Sequence, residues 1–406
     1  MRVLWFSITP SLYDEKMCGG WVASLEDAIR KYSSDIDLGI AFEHKDNSFK
    51  VERDGVVYYP INKARNIYDK IRLKIQSSYD WKLLKPYMLD IINDFKPDII
   101  QCFGSEWPFA LIAKDISVPV VVHMQGFVNI YDMSSSMCCR VTDYYKFYHY
   151  NPFSIVHFWY RNTKRNSANQ REKTLMSCNR YFLGRTDWDE NIVKNFSPNA
   201  NYYHCEEALR SDIMDSALKW SFKKRSQMRL VTISSASSLK GNNLILQTAK
   251  ILTEFGFDFE WRVAGNVDTF KLFESILGLK HEDYNIKLLG MIDANDVAKE
   301  LASAEVYVHT AIIDNSPNSL CEAQIIGCPV VSSFVGGIPS LVMNGKTGLF
   351  YPFNEPHTLA FLLMNLHNDE DRLSFLSKNE RNVAMERHNK QKIINNLYNI
   401  YKQIVE

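Results

Sequence analysis

Residues 314–339 read DNSPNSLCEAQIIGCPVVSSFVGGIP, and they place a helix start beside two carboxylates. Ser316 is expected to cap the helix and Pro317 to occupy its first position, with Asn318, Ser319 and Glu322 following in the first turns. The N–H groups of Asn318 and Ser319 would point outward with the positive end of the helix dipole behind them, a site suited to a phosphate group. Proline contributes no such donor. Asp314 and Glu322 lie eight positions apart and bracket the helix start. Carboxylates beside bound phosphate point to a further ligand part rich in hydroxyl groups. Cys328–Val331 then reads as a buried strand, so the whole stretch is one unit of an α/β fold.

This combination resembles the donor-binding segment of family 4 retaining glycosyltransferases (group 1 type). That family usually has Glu, seven residues, Glu; here Glu322 keeps the second position and Asp314, a shorter acid, takes the first. The sequences GCPVVSS and VGGIP also fit the family pattern. The resemblance implies an α/β GT-B fold, in which two Rossmann-like domains face a central cleft and a C-terminal helix crosses back to the first domain. It also implies a nucleotide-diphosphate sugar as donor.

Composition is compatible with a large enzyme. A chain of 406 residues is long enough for two domains of ordinary size. With 47 basic and 47 acidic residues the net charge is zero, so no global field favours nucleic acid. The eight cysteines (18, 102, 138, 139, 178, 205, 321 and 328) show no CxxC and no zinc-type spacing, which favours reduced thiols in the cytoplasm. The start, MRVLWFSITP, is apolar but short and is followed by Asp14 and Glu15, so it reads as a first strand and not a signal peptide. No run reaches the ~18 apolar residues of a spanning helix.

Short β-branched or aromatic runs alternate with helical patterns, the rhythm of parallel sheets. Residues 2–8, 37–41, 56–59, 98–102, 118–123 and 181–184 are expected as strands of the first half, with helices over 21–31, 81–95 and 185–195. In the second half strands are expected over 230–234, 257–264, 286–289, 306–309 and 329–332, with helices over 242–255, 270–277 and 296–303. The polar stretch Glu206–Arg229 separates the two series. The expected domains are 1–210 on the acceptor side and 211–385 for the nucleotide sugar, with 386–406 returning to the first. From Asp369 to Glu406 the pattern is wholly helical.

Other motifs gather around the expected cleft. Gly19 and Gly20 follow the first strand where backbone can approach a ligand, although a plain connecting turn needs nothing more. Lys240-Gly241 stands directly before a helix; Lys240 could face the departing diphosphate, or simply begin a solvated helix. The family usually places an Arg five residues earlier, where this chain has Ser235. Either Ser235 donates a neutral hydrogen bond, or Arg185 or Arg210 reaches in, or activity is reduced. Gly265, and Met291 after Gly290, end strands at the edge where open α/β sheets hold ligands, so they are candidates to bind the base. His123 closes the strand VPVVVH and matches a family His beside the transferred sugar, there to orient groups and not as a general base. Glu106 is a candidate for acceptor hydroxyls or a loop-capping acid.

The resemblance assigns catalytic roles to His123, Lys240 and Asp314. Donor contacts fall to Gly19, Gly20, Ser235, Lys240, Gly265, Met291, Asp314, Asn318, Ser319 and Glu322, with Asp314 on the sugar and Glu322 on the ribose. It implies transfer with retention, without a metal or other cofactor, to a glycan or lipid-linked acceptor in cell-surface polysaccharide or glycolipid synthesis. A sugar-nucleotide epimerase of the same fold and a non-catalytic sugar-nucleotide-binding protein are the alternatives. Tyr144–Tyr160 carries nine aromatic residues followed by Arg161, Lys164 and Arg165. That belt could rest at the inner face of a membrane, stack on sugars, or pack an inserted helix. Lys63, Arg65, Lys70, Arg72 and Lys74 form a basic run that could meet anionic lipid or remain a solvated face.

Overall fold

A computed structural model of the chain describes all residues except 15–19, 47, 64–65, 76–78, 139–141, 144–151, 236 and 267. It divides into two compact units. One comprises Met1–Ile130, Val156–Arg210 and His388–Glu406, the other Tyr131–Ile155 and Ser211–Arg387.

The first unit is built on strands β1 (Arg2–Ser7), β2 (Asp37–Glu43), β3 (Val51–Arg53), β4 (Val56–Ile61), β5 (Ile99–Phe103), β6 (Val120–His123), β7 (Tyr181–Gly184) and β8 (Asn201–His204). They form one sheet in the order β3-β4-β2-β1-β5-β6-β7-β8. All neighbours are parallel but β3–β4. Val3, Leu4, Trp5 and Phe6 are wholly buried, which explains the uninterrupted apolar run of β1: a central parallel strand is covered on both faces. The helix Gly20–Tyr32 turns Val22, Leu25 and Ile29 into this core.

The second unit has a six-stranded sheet in the order β11-β10-β9-β12-β13-β14. Its strands are β9 (Met228–Ser234), β10 (Phe259–Gly265), β11 (Ile286–Gly290), β12 (Val306–His309), β13 (Val330–Ser333) and β14 (Leu349–Tyr351), and every pairing is parallel. Each unit thus presents a row of strand carboxyl ends, the edge at which such sheets bind ligands. Phe103 pairs with His123 at one such edge and His309 with Ser332 at the other.

Several boundaries differ from expectation. The strand expected from residue 329 begins at Val330, and β9 begins at Met228, inside the polar connecting stretch. Strands β3, β8 and β14, of three or four residues each, were not expected. The helices Ile67–Ile75, Val128–Cys138 and Pro356–Leu366 were likewise not expected, while Pro152–Cys178 begins inside the aromatic segment for which an inserted helix was one of the readings. The helical tail is two helices, Glu370–Arg387 and Lys390–Val405. Its break has two causes: His388 Nδ1 donates to the Glu207 carbonyl at 2.8 Å, and the Asn389 side chain caps the second helix by accepting from Lys392 N–H.

The last helix belongs to the first unit. Ile393, Ile394, Leu397, Ile400, Tyr401 and Ile404 recur at helical spacing and join the core that contains Val3, Trp5 and Leu25. Lys390 Nζ lies 2.9 Å from Asp27 Oδ2 and fastens its start. Leu397→Ala should therefore destabilise the protein by about 2–4 kcal/mol, measured by chemical denaturation; a loss below ~0.5 kcal/mol would mean that this helix is not packed as described.

Candidate active site

In the second unit the chain leaves β12 at His309, crosses a loop and enters the helix Asn318–Ile326. The helix begins one residue later than the sequence suggests. Pro317 is the N-cap, in extended conformation, and no side chain caps the helix, so Ser316 does not have the capping role expected of it. The first intrahelical bonds run from Leu320 N–H and Cys321 N–H to the Pro317 carbonyl, at 3.1 and 3.2 Å. Asn318 and Ser319 precede those bonds, so their amides are the pair that a helix start turns outward. Ser319 Oγ accepts from the Tyr307 hydroxyl at 2.9 Å, and Glu322 is buried one turn further on.

Lys240 ends a short 3₁₀ turn, Ser238–Lys240, whose start is capped by Ser237. Two hydrogen bonds join this turn to the loop after β12: Thr310 Oγ1 donates to the Lys240 carbonyl at 2.8 Å, and Ile312 N–H to the Leu239 carbonyl at 2.8 Å. Gly241 has φ 72°, and a Cβ there would lie 1.9 Å from the Thr310 carbonyl oxygen. On the other side Gly336, at φ 51°, passes so close that its Cβ would lie 2.0 Å from the Asp314 carbonyl oxygen, to which Gly337 N–H donates at 2.9 Å. Both glycines thus serve backbone contact around one loop.

The result is an ion pair. Lys240 Nζ lies 2.5 Å from Asp314 Oδ2, and His309 Nε2 lies 3.5 Å from the same oxygen. Asp314 Oδ1 accepts from Asn315 N–H at 3.1 Å. Burial alone would raise the Asp314 carboxyl, but the Lys240 ammonium and His309 outweigh it and hold the group well below the usual carboxylate range. Burial pushes the His309 imidazole down, against Asp314 and with Lys240. Sequence reasoning gave Lys240 and Asp314 separate ligand parts and missed His309 altogether. Its signal was present: β12 ends VYVH as β6 ends VVVH.

The other second-unit candidates stand apart from this pair in their contacts. Ser235 is exposed, and the buried hydroxyl beside it, Ser234 Oγ, bonds Asn242 Oδ1 at 2.9 Å. Gly265 ends β10, while Met291 follows β11 and is 79 % exposed.

In the first unit Gly20 begins a helix with φ 74°, and Gly19 lies outside the described residues. His123 is buried at the end of β6, its ring edge-to-face with Trp21 at 4.6 Å and stacked on Phe103 at 5.7 Å. Burial and the nearby Arg185 hold its imidazole well below the ordinary histidine value, so it is neutral at pH 7. Arg185 is itself engaged: it is ion-paired with Glu207, donates to the Met124 carbonyl at 3.2 Å, and lies 4.8 Å over the Trp21 ring. Arg185 therefore acts within the first unit here.

Glu106 follows β5, and its Oε2 is buried without a hydrogen-bond partner among the described residues. Burial, with Glu172 adding to it, pushes this carboxyl up to about 7. Glu172 is the satisfied partner, accepting from Ser105 Oγ and from the amides of Val128 and Asn129. Glu106 is thus a carboxyl that burial holds closer to its protonated form than an exposed one.

The basic run is only partly described, since Arg65 and the side chains of Lys70 and Lys74 lie outside the described residues. Lys63 is no free cation: it is ion-paired with both Glu43 and Asp80. Arg72 sits 5.3 Å over the Tyr68 ring. In the aromatic segment, residues 144–151 lie outside the described residues and a helix begins at Pro152.

Two outcomes follow from this geometry. Gly336→Ala should cost about 1–3 kcal/mol, because a Cβ at positive φ would collide with the Asp314 backbone; wild-type stability in a urea titration would show the contact to be slack. Glu106 binds its proton more tightly folded than unfolded, so its contribution to stability is present below the unfolded pKa and is lost as pH rises toward about 7. Relative to Glu106→Gln, the wild type should lose stability between pH 5 and 7, and parallel pH profiles would contradict the assignment.

Residues 217–383 match the family model described as glycosyl transferases group 1. Among curated proteins, the amylovoran biosynthesis glycosyltransferase AmsK of Erwinia amylovora is 24 % identical over 149 residues, 35 % of this chain and 37 % of that protein. The chain spans less than half the length of the first curated relatives it matches. Among solved structures, sucrose-phosphate synthase from Thermosynechococcus elongatus aligns with a TM-score of 0.74 at 14 % identity, over 99 % of this chain and 98 % of that one. Anabaena HepE, solved with UDP and glucose, aligns with a TM-score of 0.64 at 14 % identity, over 98 % and 99 % of the two chains. These likenesses establish the fold, two Rossmann-like units of the GT-B type. Over residues 217–383, somewhat under half of its length, this chain is similar to the group 1 glycosyl transferases.

Proposed function

We propose that the protein is a retaining, metal-independent glycosyltransferase that moves a sugar from a nucleotide-diphosphate sugar to a glycan or lipid-linked acceptor. The observation that carries this reading is the Lys240–Asp314 pair set among the uncapped start of the helix Asn318–Ile326, buried Glu322 and the Gly336-Gly337 turn. A cation, outward amides and two carboxylates supply the contacts that a diphosphate bearing a sugar and a ribose requires.

Donor binding then becomes an exchange of partners. Lys240 turns from Asp314 to the diphosphate, and Asp314 becomes free to accept from a sugar hydroxyl. As the bond from the anomeric carbon to phosphate breaks, charge grows on the leaving diphosphate, where Lys240 and the amides of Asn318 and Ser319 stabilise it. The acceptor hydroxyl forms its bond on the same face and passes its proton to the departing phosphate oxygen. Glu322 holds the ribose, Gly265 and Met291 flank the base, and Ser235 offers a neutral contact where relatives of this pattern carry Arg. By the resemblance, donor contacts are also assigned to Gly19 and Gly20, and a contact to the sugar to His123.

Glu106 and the first unit receive the acceptor. AmsK is named for amylovoran biosynthesis, which supports a role in cell-surface polysaccharide or glycolipid assembly; HepE was solved with UDP and glucose, which supports a nucleotide-sugar donor. The reading places the protein in the cytoplasm, at the inner face of the membrane. Ile67, Tyr68 and Ile71 are 77, 58 and 52 % exposed on one short helix beside Arg72, which supports peripheral lipid contact. Among the described residues no helix is long and apolar enough to cross a membrane.

Nucleotide-diphosphate sugars screened by thermal shift should identify a donor, which at a hundred times its dissociation constant stabilises by about 2.7 kcal/mol. Lys240→Ala and Asp314→Asn should then lower turnover roughly 10²–10³-fold. Absence of any shift across the donors, or full turnover in both variants, would overturn the proposal.

A further inference from the structure

Four buried side chains, far apart in sequence, form one hydrogen-bonded line in the first unit. Trp5 Nε1 lies 3.4 Å from the Tyr401 hydroxyl, which lies 2.5 Å from Gln101 Oε1, and Gln101 Nε2 lies 3.2 Å from His123 Nδ1. Trp5, Tyr401 and Gln101 are fully buried and His123 is 2 % exposed. At the far end, His123 Nε2 is buried with no hydrogen-bond partner among the described residues.

The chemistry of these groups gives the line a direction. An indole N–H can only donate, so Trp5 directs its hydrogen at the tyrosine oxygen. The single Tyr401 proton must then go forward to Gln101, whose facing atom is the amide oxygen; a separation of 2.5 Å lies in the range of O–H···O and below that of N–H···O. With the opposite amide orientation, the Tyr401 oxygen would meet two donors and its own proton would have no acceptor. The Gln101 NH₂ therefore faces the imidazole and donates to Nδ1. A neutral ring that accepts at Nδ1 carries its proton on Nε2.

We infer that Tyr401, on the C-terminal helix, acts through Gln101 as a positioning residue that fixes His123 as the Nε2–H tautomer and so makes it a hydrogen-bond donor. The edge-to-face contact with Trp21 and the stack on Phe103 hold the plane of the ring while the line of hydrogen bonds sets its proton. His123 cannot then take a proton at Nε2; it offers one to an oxygen. That the oxygen belongs to a sugar rests on the transferase reading, whereas the tautomer rests on the line of hydrogen bonds alone. The inference also gives the returning helix a chemical task in addition to its packing: it delivers the Tyr401 hydroxyl to Gln101 on β5.

The test is ¹H–¹⁵N long-range correlation NMR of the full-length protein labelled at its ten histidines, without nucleotide, with the His123 signals assigned by their loss in His123→Asn. The wild type should show a neutral Nε2–H ring at pH 7.5. Gln101→Glu presents a carboxylate oxygen to Nδ1 and should invert the ring to Nδ1–H, while Tyr401→Phe frees the amide to rotate and should give a mixture. Where a donor and acceptor have been found, Gln101→Glu should also lower kcat/KM about tenfold, the value of one hydrogen bond of ~1.4 kcal/mol. A wild-type ring that is Nδ1–H or doubly protonated, or a tautomer unchanged in both variants, would overturn the inference. An Nε2–H ring that responds to both variants in a protein that binds no nucleotide sugar would sustain the inference and remove the transferase reading instead.

Discussion

The buried carboxylate of Asp314 is the group around which the loops of the second unit are arranged. A carboxylate taken out of water is tolerated only when it is paired and hydrogen-bonded. Lys240 supplies the countercharge, His309 stands beside the same oxygen, and the Asn315 amide holds the other. The surrounding backbone is fixed with equal care. The Tyr351 hydroxyl donates to the His309 carbonyl and Ser333 Oγ to the Ala311 carbonyl, at 2.9 and 2.6 Å, while Gly336 and Gly241 close in where any side chain would collide. Such a pair is strong enough to order the loop and exposed enough on its lysine side, 28 % of that side chain, to be exchanged for an anionic ligand.

The first unit handles charge differently. Its cation, Arg185, is neutralised by Glu207 and shielded by Trp21, and its histidine is kept neutral by burial. What remains available at the carboxyl edge of this sheet is a hydrogen-bond donor on His123 and a carboxyl, Glu106, whose charge changes near neutral pH. Both units thus bury a compensated ion pair, Lys240–Asp314 in one and Arg185–Glu207 in the other, and they differ in the exposure of the cation, 28 % for Lys240 against 3 % for Arg185.

Much of the fold could be read in the sequence because its signal is local. Strands such as Tyr181–Gly184 and Val306–His309 have the expected bounds, since a short β-branched or aromatic run bounded by polar residues admits few other conformations. The helix after Pro317 was legible for the same reason, although Ser316 was given a capping role that Pro317 occupies without a side-chain bond. The long helix Pro152–Cys178 was legible only as one alternative, an inserted helix over the aromatic segment, because its polar and apolar residues follow no single face. Likewise the tail gave no sign of its interruption, because the bond from His388 to the Glu207 carbonyl joins residues 181 positions apart.

For the candidate site the same division holds. Residue type and spacing, together with the family resemblance, mark Asp314, Glu322, Lys240, His123 and Glu106 as candidates, because a helix start, a glycine turn and a polar residue at a strand end are all short-range patterns. The states of these groups were decided by tertiary structure. The pairing of Lys240 with Asp314 spans 74 positions, and the line from Tyr401 through Gln101 to His123 begins 300 positions from its second member. Sequence by itself determines which chemical groups stand at the strand ends, since local backbone preference puts them there. Only the folded chain decides which of them are charged, paired or aimed as donors, because those properties depend on burial and on partners that the sequence holds far apart.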